Sequence, residues 1–94
     1  MDYISISVVG TVVSTPIRRG KTYSFELENR RGDTVSAFHV IVRNEDPIDV
    51  NKGDRVFISN AGFFERNGIN NIAVIETSNL EVIRIRCNLG IEEV

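Results

Sequence analysis

The sequence predicts an all-β chain folded as a small five-stranded antiparallel barrel. Three observations lead there. Five stretches rich in β-branched and aromatic residues follow one another with short turn signals between them. No stretch of helical length carries an apolar stripe at helical spacing. Two of the strand-like stretches contain a single interior glycine, Gly10 and Gly62; glycine inside a strand often marks a bulge or a tight bend at a barrel corner. A bent first strand lets a small sheet close, because it then serves both sides of the barrel.

The first strand is expected over about Tyr3 to Ser14, with its bend at Gly10 and a basic loop, Pro16-Ile17-Arg18-Arg19, after it. The second, Thr22 to Glu28, alternates: Tyr23, Phe25 and Leu27 point one way and Thr22, Ser24, Glu26 and Glu28 the other. Asn29-Arg30-Arg31-Gly32-Asp33 reads as a hairpin turn into a third strand, about Thr34 to Arg43. Asn44 to Asp54 is punctuated by Pro47 and Gly53 and is too short and polar for a full helix. The fourth strand is Arg55 to Glu65, broken at Gly62. Asn67-Gly68 signals a hairpin, since both residues tolerate positive φ. The fifth strand is Ile69 to Ile75, resuming over Leu80 to Arg86. Five strands with almost no helix match the oligonucleotide-binding (OB) barrel, here without a substantial helix between strands three and four. An SH3-like barrel is the alternative, although its strands are usually shorter than the first and last ones here.

Ninety-four residues make one domain, 1–94, with one modest core. The apolar fraction is 41%, led by Ile and Val with no Trp, which suits strands. The single cysteine, Cys87, excludes an intramolecular disulfide and a cysteine-based metal site, and reads as a small buried or half-buried residue. No window reaches the ~18 apolar residues of a membrane span, and no signal-peptide pattern opens the chain. The expectation is a soluble, cytoplasmic protein. Net charge is −2, unevenly spread. Residues 16–44 hold Arg18, Arg19, Lys21, Arg30, Arg31 and Arg43 against Glu26, Glu28 and Asp33, a sum of +3. Residues 45–94 sum to −4, and Asp2 supplies the remaining −1.

Catalysis has little support. His39, the only histidine, sits mid-strand among apolar residues, where a hydrogen-bonded core or interface role is the simpler reading. Glu45, Asp46 and Asp49 match no metal-loop spacing and read as loop solubilisers. No glycine-rich phosphate loop precedes a helix. The chain is expected to be no enzyme and to hold no metal or cofactor. Binding of single strands fits better, since it needs aromatic platforms for bases and cations along the backbone path. If Val56, Ile58 and Phe64 face the core, Phe57 and Phe63 point outward, a phase that assumes no register inversion at Gly62. Phe38 shares its parity with Val40 and Val42. These rings would either stack bases or pack against a second subunit. The surplus apolar surface, Phe38, Val40 and Val42 on one face of the third strand and the Ile83-Ile85 pair after the barrel should have closed, predicts at least a homodimer.

Several fragments resemble the bacterial single-stranded DNA-binding protein family and its primosomal replication protein N-like branch. Val8-Val9-Gly10-Thr11-Val12 followed by Pro16-Ile17-Arg18 looks like that family's first strand and loop. Phe25 to Arg30 resembles its second strand, and Phe38-His39-Val40-Ile41-Val42 its aromatic-His third strand. Lys52-Gly53-Asp54-Arg55-Val56-Phe57-Ile58 is similar to its entry into the fourth. Phe25-x-Leu27-Glu28-x-Arg30, Val40-Ile41-Val42, Gly62-Phe63 and the run from Asn67-Gly68 through the fifth strand are similar to the primosomal branch. The resemblance covers about residues 5–83. It implies a non-enzymatic OB-fold protein that binds single-stranded DNA in replication or replication restart, assembles as a homodimer or higher oligomer, and meets other replication proteins. It further implies that Phe38 lies where a base-stacking tryptophan stands, that Phe63 lies where an aromatic contacts DNA, and that His39 is near a subunit contact. The loop between strands four and five carries one cation, Arg66, where binding relatives carry several lysines, which implies modest affinity.

The binding set expected from the sequence is therefore Phe63 foremost, Phe57 and Phe38 next, with Arg18, Arg19, Lys21, Arg30, Arg31 and Arg66 as cations. RNA is an alternative ligand. An OB scaffold for protein–protein interaction in a nucleoprotein complex is the alternative function, favoured by the acidic second half.

Overall fold

A computed structural model describes residues 4–43 and 48–83. It contains seven strands and one short 3-10 turn: β1 (Ile4–Val12), β2 (Ile17–Arg19), β3 (Thr22–Arg31), β4 (Thr34–Arg43), β5 (Arg55–Arg66), β6 (Ile69–Val74), η1 (Thr77–Asn79) and β7 (Leu80–Ile83). Five of these strands run β1-β3-β4-β6-β5, and a β1–β5 pairing closes the circle. β2 and β7 are additions on the outside, paired to β3 and β5. The result is an all-β closed barrel of OB-like form. It differs from the expected architecture in strand polarity. β4 and β6 run parallel, with Val40 opposite Ile72 and Val42 opposite Val74, so the barrel is not wholly antiparallel. Strand order and polarity are long-range properties that no local pattern encodes.

The first strand serves both sides of the barrel, as expected. Thr11 lies opposite Arg55 of β5 on one side and Glu28 of β3 on the other. Gly10 makes this possible by close approach. A Cβ there would stand 2.6 Å from the Glu28 carbonyl oxygen and 2.8 Å from Leu27 Cγ. The Asn29 side-chain amide bonds the Val9 carbonyl at 2.7 Å and ties the same crossing.

The interior follows from strand alternation. Phe25 and Leu27 of β3, Val40 and Val42 of β4, Val56 and Ile58 of β5, and Ile72 and Val74 of β6 fill it and are all buried. Val50, buried, and Ile48 pack on this core from the loop before β5, covering one end of the barrel where a helix is absent over 48–54. The hairpin read at Asn67-Gly68 is present, with φ of 54° and 79°. The basic loop after β1 is not bare, because Ile17–Arg19 pairs with β3. The fifth strand is interrupted by η1 before β7 resumes along β5. Tyr3, Glu45, Asp46, Ile85, Cys87 and the end of the resumed strand at Arg86 lie outside the described residues.

A bulge in β5 sets which aromatics face out. Ile6 lies opposite Ala61 and Val8 opposite Ile58, so one residue of β1, Ser7, faces two of β5, Ser59 and Asn60. Asn60 takes φ 50°, the left-handed region that asparagine tolerates better than most residues. The inward positions are even before the bulge, Val56 and Ile58, and odd after it, Ala61 and Phe63. The inversion occurs at Asn60, two residues before the glycine, and it overturns the outward placement of Phe63 and the inward placement of Phe64.

Candidate nucleic-acid interface

The pairing registers turn the outer face of β2, β3, β4 and β6 into rows, since residues opposite each other in a sheet point to the same side. Arg19, Thr22 and Arg43 form the first row, with the two arginines flanking the threonine. Ile17, Ser24, Ile41 and Ala73 form the second, which continues to Gly62 of β5. Glu26, His39, Asn71 and Phe64 form the third. Between β2 and this wall lies an open cleft of about 450 Å³, lined among others by Ile17, Arg19, Ser24, Glu26, His39 and Ile41.

The third row is held by specific bonds. His39 Nδ1 lies 2.6 Å from Glu26 Oε2, with both side chains partly exposed. The Glu26 N–H donates to Ser14 Oγ at 2.7 Å, which pins the loop after β1 to β3. The Asn71 side-chain amide donates to the Ile69 carbonyl at 2.9 Å. At the far end of the row the Arg66 guanidinium stands 5.7 Å from the centre of the Phe64 ring, and Phe64 is 37% exposed. His39 is thus a hydrogen-bonded residue of the outer face and not of the core.

The residues singled out in the sequence fall into three places. Arg19 and Arg66 reach the outer face just described. Arg18 is on the opposite side of β2, where its guanidinium lies 5.5 Å from the centre of the Tyr23 ring and its Nε donates to the Gly20 carbonyl at 3.0 Å. Lys21 sits in the β2–β3 turn, and Arg30 and Arg31 at the end of β3 beside the Gly32 turn. Phe38 and Phe63 face inward and meet near one end of the barrel, packed against its core. Phe57 is on a different wall, between Val9 of β1 and Glu81 of β7. The motive for assembly changes in the same way, because Val40 and Val42 belong to the barrel interior and Phe38 packs on it.

Four members of this face carried no nucleic-acid-binding role in the sequence reading. Arg43 was visible only as a charge; its place beside Arg19 depends on the register of three strands. Phe64 was hidden by the bulge. Glu26 and His39 become partners only through the β3–β4 register. Among the described residues no three His, Cys, Asp or Glu side chains cluster as metal ligands, and no helix is long and apolar enough to cross a membrane. No family model, curated protein or solved structure matches the chain.

Proposed function

We propose that this chain is a non-enzymatic single-strand-binding protein of the OB fold, and that the strand runs over the outer face of β2, β3 and β4 toward the β5–β6 hairpin. The observation that carries the reading is the pairing of Arg19 with Arg43 across Thr22 at one side of an open cleft. Cations at that side would take backbone phosphates. The Arg66–Phe64 pair at the other side of the wall offers a second cation and an exposed ring for a base. Phosphate contacts of this kind position a strand without reading its sequence. Single-stranded DNA is the proposed ligand. A role in replication or replication restart, with other replication proteins as partners, and a cytoplasmic location rest on the sequence resemblance and composition alone. Fluorescence anisotropy with labelled dT and rU oligomers at two salt concentrations tests the reading. Salt-sensitive binding, tighter for dT, supports it; no binding to either oligomer overturns it.

The reading includes a homodimer through another wall. Val9, Phe57 and Glu81 lie in one row across β1, β5 and β7, and Thr11, Arg55 and Ile83 in the next. Phe57 is 36% and Ile83 38% exposed, and neither has a place in the core. Isologous pairing of this wall would bury both and leave the cleft side free.

A further inference from the structure

We infer that the cleft between β2 and the outer wall of β3 and β4 is a nucleobase pocket that selects guanine over thymine within a single strand. This rests on the reading of that wall as a strand-binding surface, and it adds a base preference that phosphate contacts cannot give. The cleft, about 450 Å³, lies within the roughly 300–1,000 Å³ of small-ligand sites. Ile17 and Ile41 flank Ser24 in one row and supply apolar walls for a planar ring. Ile17 is 55% exposed on an added strand.

The discriminating group is the Glu26 carboxylate in the next row. Its position is fixed from two directions, by His39 Nδ1 on Oε2 and by Ser14 on its own backbone N–H. A carboxylate offers about four acceptor sites; the bond to His39 uses one, and the side chain is 49% exposed. Guanine presents two adjacent donors, N1–H and the N2 amino group, which match the two oxygens of a carboxylate. Its O6 and N7 are acceptors suited to an arginine, and Arg19 lines the same cleft. Cytosine and adenine offer one amino group each. Thymine offers a single N–H between two carbonyl oxygens, which a carboxylate repels. The order of preference is therefore guanine, then cytosine and adenine, then thymine. His39 acts as a positioning residue for the carboxylate.

The test uses labelled dT oligomers in which one central residue is replaced by dG, dC or deoxyinosine, measured at constant salt. One guanine should tighten binding about tenfold over all-dT, at the lower end of what a bidentate base contact contributes. Inosine, which lacks the N2 amino group, should lose most of that gain. Glu26→Gln should abolish the guanine advantage, and all-dT affinity should rise modestly because the carboxylate no longer repels the thymine carbonyls or the phosphates. Ile17→Ser, on the exposed strand, should also reduce the advantage while melting temperature holds. Equal binding of the dG and all-dT oligomers overturns the pocket and leaves the single-strand reading standing. A guanine advantage that survives in Glu26→Gln overturns the assignment to this carboxylate. Failure to bind any oligomer overturns the single-strand reading itself.

Discussion

The Phe38 and Phe63 rings meet edge to face inside one end of the barrel, with centroids 6.3 Å apart and planes inclined at 72°. This pair closes the core between β4 and β5, two strands that are not neighbours in the sheet. Such a contact is worth about 0.5–1.5 kcal/mol beyond the area it buries. Two of the three aromatics that the sequence reading placed among the strand-binding groups are thus packed on the core, and Phe64 stands on the outer face in their stead.

Phe63 and Phe64 should therefore separate cleanly by substitution. A core Phe→Ala change costs about 3–5 kcal/mol. Phe63 is only partly buried, so Phe63→Ala should cost about 2 kcal/mol, a fall in melting temperature of roughly 10 °C for a domain of this size. Phe64→Ala should leave the melting temperature nearly unchanged. It should weaken binding to dT oligomers by about 1–3 kcal/mol, the range for one stacked base. Thermal melts and anisotropy on both variants decide the matter, and the reverse pattern would return Phe63 to the surface.

The bulge at Asn60 makes its own prediction. Left-handed backbone costs a residue with a Cβ about 1–2 kcal/mol, and β-branching aggravates it. Asn60→Val should lower the melting temperature by roughly 5–15 °C, whereas Asn60→Gly should hold or raise it. If valine is tolerated, the register inversion that turns Phe64 outward is absent.

Much of the barrel was legible in the chain because strand alternation and turn chemistry are local. The in-out pattern of Thr22 to Glu28, the Asn67-Gly68 turn and the lack of a helix over 48–54 all follow from neighbouring residues. The bulge was not legible. Phe63 and Phe64 are both aromatic, so the run after Ile58 fits either phase, and nothing marks Asn60 except its tolerance of positive φ. The site was less legible than the fold, because its residues meet only through register. Arg18 and Arg19 are adjacent and equally basic, yet the pairing of β2 with β3 sends one over Tyr23 and the other to the cleft.

The two strand glycines, alike in sequence, should behave differently. At Gly10 an added Cβ would meet a backbone oxygen at 2.6 Å, which cannot move without shifting β3. At Gly62 the nearest atoms are 3.9 and 4.0 Å away, an ordinary contact. Gly10→Ala should thus cost about 3 kcal/mol, the upper range for overpacking, and Gly62→Ala should change stability little. Denaturant melts of the two variants give the comparison, and equal midpoints would contradict the close approach of β1 to β3.

Assembly through the β1–β5–β7 wall is open to a direct measurement. The chain has a mass of 10.6 kDa, and sedimentation at micromolar concentration should return twice that value. Phe57→Ser should shift the protein toward the monomer while dT binding per chain persists, because Phe57 and the cleft lie on different walls. A wild-type protein sedimenting at the monomer mass would remove the dimer.

The arginines give the sharpest test of where a strand lies. Each phosphate neutralised on a single strand adds about 0.7 to the slope of log K against log salt. Arg19, Arg43 and Arg66, with one further cation from the turns, would make three or four contacts and a slope of about −2 to −3. Arg19→Glu and Arg43→Glu should each weaken binding and make the slope shallower by about 0.7. Arg18→Gln should leave the slope alone, since the Arg18 guanidinium is committed to Tyr23 and to the Gly20 carbonyl. Its effect should instead appear as a small loss of stability, about 0.5–1 kcal/mol for an exposed cation–π contact. Titrations of dT oligomers over a series of salt concentrations separate the two arginines. A slope that falls for Arg18→Gln and holds for Arg19→Glu would put the strand on the opposite side of β2 and refute the proposed face.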